Sequence, residues 1–186
     1  MIPRSANPGS LLVLGLGNVL CADDGLGVAA IELLSRRYRI PEDARVLDGG
    51  TLGLALLPHF RASDDVILVD AVRGAGPPGT LVRLEGTDVD SAVRTRLSCH
   101  QVGVADLLDA LCLLQACPRH LILLGLVPET LDLRLGRSAR VEEQLPALVQ
   151  WIVDEAGRLG YEFLPVAENE SRQAWRPNPV ASALGL

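Results

Sequence analysis

The chain has 186 residues, 48% of them apolar and only 3% aromatic, and a formal net charge of −6 from 23 acidic and 17 basic side chains. That length and apolar content suit one domain with an aliphatic core, and the acidic balance argues against nucleic acid as a partner. No apolar run long enough to span a membrane occurs, and the opening "MIPRSANPGS" lacks the apolar stretch of a secretory signal, so no membrane partner and a cytoplasmic location are expected.

Residues 1–10 read as a disordered lead. The run "LLVLGLG" (11–17) predicts a buried strand, and "GLGVAAIELLSRRY" (25–38) a helix with Val28, Ile31 and Leu34 at helical spacing. Buried strands are predicted again at "ARVLDGG" (44–50) and "VILVDA" (66–71). Between them "TLGLALLPHF" (51–60) predicts a helix that Pro58 shortens or kinks. "TLVRLEG" (80–86) alternates as an edge strand does. "VGVADLLDALCLLQ" (102–115) predicts an amphipathic helix with Asp106 and Asp109 on its polar side, followed by a buried strand at "HLILLGLV" (120–127). "SARVEEQLPALVQWIVDEAGRLG" (138–160) has the pattern of a long helix, broken near Pro146 and stopped at Gly160. Residues 166–186, polar and proline-bearing with Trp175 as an apolar anchor, read as a flexible tail. The alternation predicts an α/β domain over residues 11–165. The expected architecture is a three-layer sandwich, with a twisted, mostly parallel five-stranded sheet and helices on both faces.

Cys21, Cys99, Cys112 and Cys117 form no C-x-x-C pair, which argues against a zinc knuckle or a thioredoxin-type site. Cys112 and Cys117 are expected to be small hydrophobes within a helix.

In an open α/β sheet the site lies beyond the carboxyl ends of the strands. Asp24 follows the first predicted strand, Asp48 and Asp70 end the next two, and His100 precedes the amphipathic helix. A lone Asp at such a place is usually a helix cap or turn former, whereas four such groups at one edge point to a site. Asp24, Asp70 and His100 make an oxygen, oxygen, nitrogen set that suits a divalent ion such as Zn²⁺ or Ni²⁺ and leaves coordination positions open. A dinucleotide site fits poorly. Leu20 stands where the third glycine would be, Asp48 lies too far beyond Gly17, and Asp23 and Asp24 would repel a pyrophosphate. Cys99 and His100 are adjacent, which rarely aims a thiol at its base.

The segments "GLGNVLCADDG", "LDGGTLG", "VILVDA" and "SCHQVGVADLL", in this order and followed by "LILLGLVPETLD", resemble the hydrogenase maturation proteases. These endopeptidases process the large subunit of nickel–iron hydrogenases. By motif position the resemblance implies a metal-binding triad of Asp24, Asp70 and His100. It implies that Asp48 acts in cleavage with Asp24 and Asp70, and that Gly49, Gly50 and Thr51 bind substrate. Asp24 stands where many members have the longer Glu. The implied activity is an aspartyl-type endopeptidase that trims the C-terminal extension of a nickel-loaded large-subunit precursor. Nickel would come with the substrate, and Zn or Cd could occupy the site adventitiously. The alternative from another class is a nickel-sensing assembly chaperone that uses the same triad without cutting.

Overall fold

A computed structural model describes residues 9–94 and 99–166, the side chains of 99–102 excepted. The expectations for residues 1–8 and for the tail beyond Val166, Trp175 included, lie outside the described residues.

Five strands form one sheet in the order β3-β1-β4-β6-β5. They are β1 (Leu11–Leu16), β3 (Ala44–Gly50), β4 (Asp65–Ala71), β5 (Leu81–Glu85) and β6 (His120–Leu126). The first four strands in that order run parallel, and β5 alone lies antiparallel, against β6. A two-residue strand β2 (Tyr38–Arg39) pairs with β7 (Leu164–Pro165) in a separate ribbon. Alternate side chains feed two cores, as the strand period of two requires. Leu11, Val13, Ile67, Val69, Ile122 and Leu124 face α1 (Leu26–Arg37) and α5 (Ala139–Arg158). Leu12, Leu14, Val66, Leu68 and Leu123 face α2 (Leu57–Arg61), α3 (Thr87–Arg94) and α4 (Cys99–Leu113). The chain is thus a single three-layer α/β domain with a five-stranded, mostly parallel sheet.

Several expectations change. The "ARVLDGG" strand is an edge strand, only half-buried over Arg45–Asp48, with Val46 packed on one core and Leu47 on the other. Val28 is only half-buried, because the inward stripe of α1 runs through Gly27, Ala30, Ile31 and Leu34. The 51–60 segment splits into a 3-10 turn (Gly53–Leu56) and the short α2, which begins around Pro58. The predicted break at Pro146 does not occur, and α5 runs continuously past it. Pro146 lies on the exposed face, where the carbonyl left without its helical donor can meet water, while Leu145, Leu148, Val149 and Ile152 hold the buried face. The helix α3 escapes the sequence reading because its eight residues bury only Val89 and Val93.

Ordered contacts also extend past the expected lead and tail. Ser10 N–H donates to Asp64 Oδ2 (3.1 Å), and Val166 N–H donates to the Arg37 carbonyl (2.8 Å). At the amino end of the sheet, Asp65 is fully buried and accepts from the Tyr161 hydroxyl (2.7 Å) and Arg119 Nε (3.0 Å).

The position of α1 depends on Gly27. A Cβ there would lie 2.2 Å from the Val69 carbonyl oxygen and 2.3 Å from that of Leu16, so helix and sheet meet backbone to backbone. Gly27→Ala is therefore predicted to destabilise the fold by about 3 kcal/mol or more through overpacking, read as a lower urea midpoint at unchanged slope.

Candidate active site

The carboxyl edge of the sheet is built around the turn that follows β1. Gly17 has φ +118°, and a Cβ at that position would sit 1.8 Å from the Asp24 carbonyl oxygen, so only glycine fits. The chain then folds back through a 3-10 turn, Ala22–Gly25, which delivers Asp24 to the strand end. The Asp24 carboxylate is buried and accepts from the Asn18 N–H through Oδ2 (2.8 Å). Asp70, near the end of the neighbouring strand β4, is equally buried and accepts from the Ala71 N–H through Oδ1 (2.6 Å). That same Oδ1 lies 3.7 Å from the point a Gly17 Cβ would occupy. Asp24 and Asp70 therefore flank one turn, as their strand-end positions suggest.

Asp48 approaches from the other side. It pairs in register with Gly15, in the row that faces α1, whereas Asp70 shares the row of Val66 and Leu68 that faces α4. Past Gly15 the β1–β3 register slips by one residue, so Leu16 pairs with Gly50. Gly17 N–H then donates to the Gly50 carbonyl (3.0 Å), which ties the Asp48 loop to the central turn. Asp48 Oδ1 accepts from the Gly50 N–H (2.9 Å). Burial pushes the Asp48 carboxyl above the usual carboxylate range, and the Gly50 hydrogen bond opposes this only in part. Gly49 is buried, Gly50 is half-buried and Thr51 is exposed at this rim.

His100 lies in the first turn of α4, and its side chain is outside the described residues. The start of α4 is nevertheless fixed close by. Gly103 packs against Gly53, just after the Asp48 loop, so closely that a Cβ on either would lie 2.9 Å from the other's Cα. Among the described residues no three metal-binding side chains converge. Asp24 and Asp70 are thus two buried carboxylates brought to one turn.

The sequence reading misses the role of Asp23. This fully buried carboxylate accepts from the N–H groups of Glu129 (2.9 Å) and Thr130 (3.2 Å), and from both the N–H (2.6 Å) and hydroxyl (2.9 Å) of Ser138. Ser138 is in turn the N-cap of α5 and accepts from the Val141 N–H. Burial pushes the Asp23 carboxyl upward, but the bonds from Ser138, Glu129 and Thr130 together hold it below the ordinary value. The only sequence signal is the paired "DD" and the serine that opens α5, separated by more than a hundred residues. Backbone bonds from Ala22 N–H to the Arg134 carbonyl and from Asp23 N–H to the Thr130 carbonyl complete the attachment. The loop so fastened exposes Leu131, Leu133 and Leu135, and Val19 and Leu20 are exposed beside the central turn.

The family model described as "Hydrogenase maturation protease" matches residues 28–155, a span that includes Asp48, Asp70 and His100 and begins just after Asp24. The chain is similar to the Hydrogenase 2 maturation protease of Escherichia coli (strain K12), with 35% identity over 83% of this chain and 95% of that one. It is 40% identical to the Hydrogenase expression/formation protein HoxM of Azotobacter vinelandii, over 95% of this chain and 84% of the relative. Among solved structures it resembles the hydrogenase maturating endopeptidase HybD from E. coli, with a TM-score of 0.80 and 35% identity over 84% of this chain and 97% of that one.

The Asp23 clamp predicts an acid-labile fold. Its folded-state carboxyl lies below its unfolded value, so its full contribution is present above the ordinary carboxylate range and is lost as pH falls through the folded value. Asp23→Asn should cost roughly 2–3 kcal/mol at neutral pH, since an amide faces N–H donors with a donor of its own. The variant's stability should also fall less steeply with acid than the wild type's, as measured by urea unfolding at a series of pH values.

Proposed function

The chain belongs to the hydrogenase maturation proteases and is an endopeptidase, and from that membership we propose that it removes the C-terminal extension of a nickel-loaded large-subunit precursor of a nickel–iron hydrogenase. The observation that carries this reading is the pair of buried carboxylates, Asp24 and Asp70, brought to one turn by strands that are distant in sequence. Protease relatives favour cutting over a chaperone role.

In this reading the nickel is part of the substrate. Asp24, Asp70 and His100 grip it where the precursor's own ligands leave positions open. With no thiolate among them, these three ligands bind a free divalent ion weakly, so the grip is complete only when enzyme and loaded precursor meet. Zn or Cd would fill the triad adventitiously. Asp48 is the general base of an aspartyl-type cleavage. It takes a proton from water as the water oxygen attacks the scissile carbonyl, and it returns a proton to the departing amine. A carboxyl raised by burial is the stronger base for that step. Gly49, Gly50 and Thr51 line the path of the extended substrate past Asp48. The reaction takes place in the cytoplasm.

Asp70→Asn and His100→Ala should abolish processing of a co-expressed precursor while leaving the thermal unfolding midpoint nearly unchanged. Asp24→Glu should retain it. Asp48→Asn should slow cleavage about a hundredfold or more. In the wild type the acid limb of kcat/KM should lie above the ordinary carboxylate range, because a raised base loses activity sooner as pH falls. Sequencing the C-terminus of the large subunit reads each outcome. Efficient cutting of nickel-free precursor by zinc-loaded enzyme would overturn the recognition of substrate nickel.

A further inference from the structure

Cys112 and Cys117 are not the buried helical hydrophobes that the sequence suggests. Both are exposed, and Cys117 lies beyond the end of α4. The helix stops at Leu113, and the chain reverses through Gln115, whose φ is +52°. Bonds from Gln115 N–H to the Cys112 carbonyl (3.1 Å) and from Ala116 N–H to the Leu111 carbonyl (2.9 Å) hold the reversal. It returns Cys117 toward Cys112 and leaves the two Sγ atoms 3.3 Å apart. A surface cavity of about 440 Å³ opens beside them, lined by both sulfurs' residues with Leu108, Leu111, Pro118 and Leu121. Exposed cysteines contribute little to packing, so a fixed pair of sulfurs at the mouth of a cavity calls for a chemical account.

We propose that Cys112 and Cys117 form a dithiol modification site that exchanges with the disulfide of a low-molecular-weight thiol. The Cys112 thiolate attacks the small disulfide. The small S–S bond breaks, one small thiolate leaves and takes up a proton, and a mixed disulfide stays on Cys112. Cys117 then loses its proton and attacks the Cys112 sulfur, which releases the second small thiol. Two protein thiols are oxidised to one disulfide, and one small disulfide is reduced to two thiols. The sulfurs must close from 3.3 Å to about 2.05 Å, within reach of side-chain rotation in a short surface turn. Partial shielding of its sulfur, and then the hydrogen bond and charge of Cys112, push the Cys117 thiol up, which favours Cys112 as the attacking group and Cys117 as the resolving one. The cavity gives the small disulfide room beside Cys112. The product staples the end of α4 to the segment that leads into β6.

The test exposes native wild-type protein, and a Cys21→Ser/Cys99→Ser variant holding only the two thiols in question, to oxidised glutathione. Remaining thiols are then alkylated and the intact masses measured. The expected product has lost two hydrogens and has both Cys112 and Cys117 protected, and it exceeds the doubly glutathionylated form at least tenfold, roughly what a millimolar-range effective concentration gives. Cys117→Ser should stop at one glutathione on Cys112. Two independent adducts would overturn the proposal, as would pairing of either sulfur with Cys21 or Cys99. So would intact thiols under an excess that oxidises a short reduced peptide with the same C-x4-C spacing.

Discussion

Backbone contact between the first turn of α1 and the sheet, at Gly27, sets the geometry of the whole carboxyl edge. The helix can lie against the Leu16 and Val69 carbonyls only because nothing projects from position 27. With the helix start fixed there, the 3-10 turn before it has one course, back over Gly17. That course places Asp24 at the strand end beside Asp70. Side chains at a site are held no more firmly than the backbone that carries them, so a dense backbone contact directly beneath the carboxylates is a natural support for their fixed placement.

Two consecutive acids divide the labour at this turn. Asp23 is satisfied by four donors from the loop after β6 and the cap of α5, far along the chain. Asp24 accepts instead from the Asn18 N–H of the central turn. Because the donors around Asp23 stabilise its charge within the protein, the two neighbouring carboxylates need not share one electrostatic environment, although they are adjacent in sequence. The same clamp carries the α5 cap, so the turn, the leucine-bearing loop and the longest helix are joined at a single carboxylate.

Much of this was legible in the sequence wherever a signal is local and periodic. The buried strands β1, β4 and β6 show as unbroken apolar runs, and α1, α4 and α5 as helical stripes. The strand-end rule places Asp24 and Asp70 at one edge with no knowledge of their contacts. What escaped depends on partners that are distant in the chain. The edge position of β3 follows from which strands lack a neighbour, and not from its own residues. The continuity of α5 through Pro146 rests on the buried face that offsets one missing hydrogen bond. The clamp role of Asp23 appears only once Ser138 lies against it. The exposure of Cys112 and Cys117 follows from a helix that ends one residue after the first of them, a boundary that apolar composition alone does not reveal.

The loop pinned by Asp23 alternates Leu131, Leu133 and Leu135 with Asp132 and Arg134, and all five side chains stand in solvent. Apolar side chains alternating along an exposed segment, here bent at Leu133 and Leu135, offer other apolar surface a place to adhere. Two features of this chain blunt that tendency. Opposite charges sit between the leucines, and Arg134 is already bridged to Cys21 on one side. Stripping the charges from Asp132 and Arg134 would turn a wetting surface into a seed for precipitation.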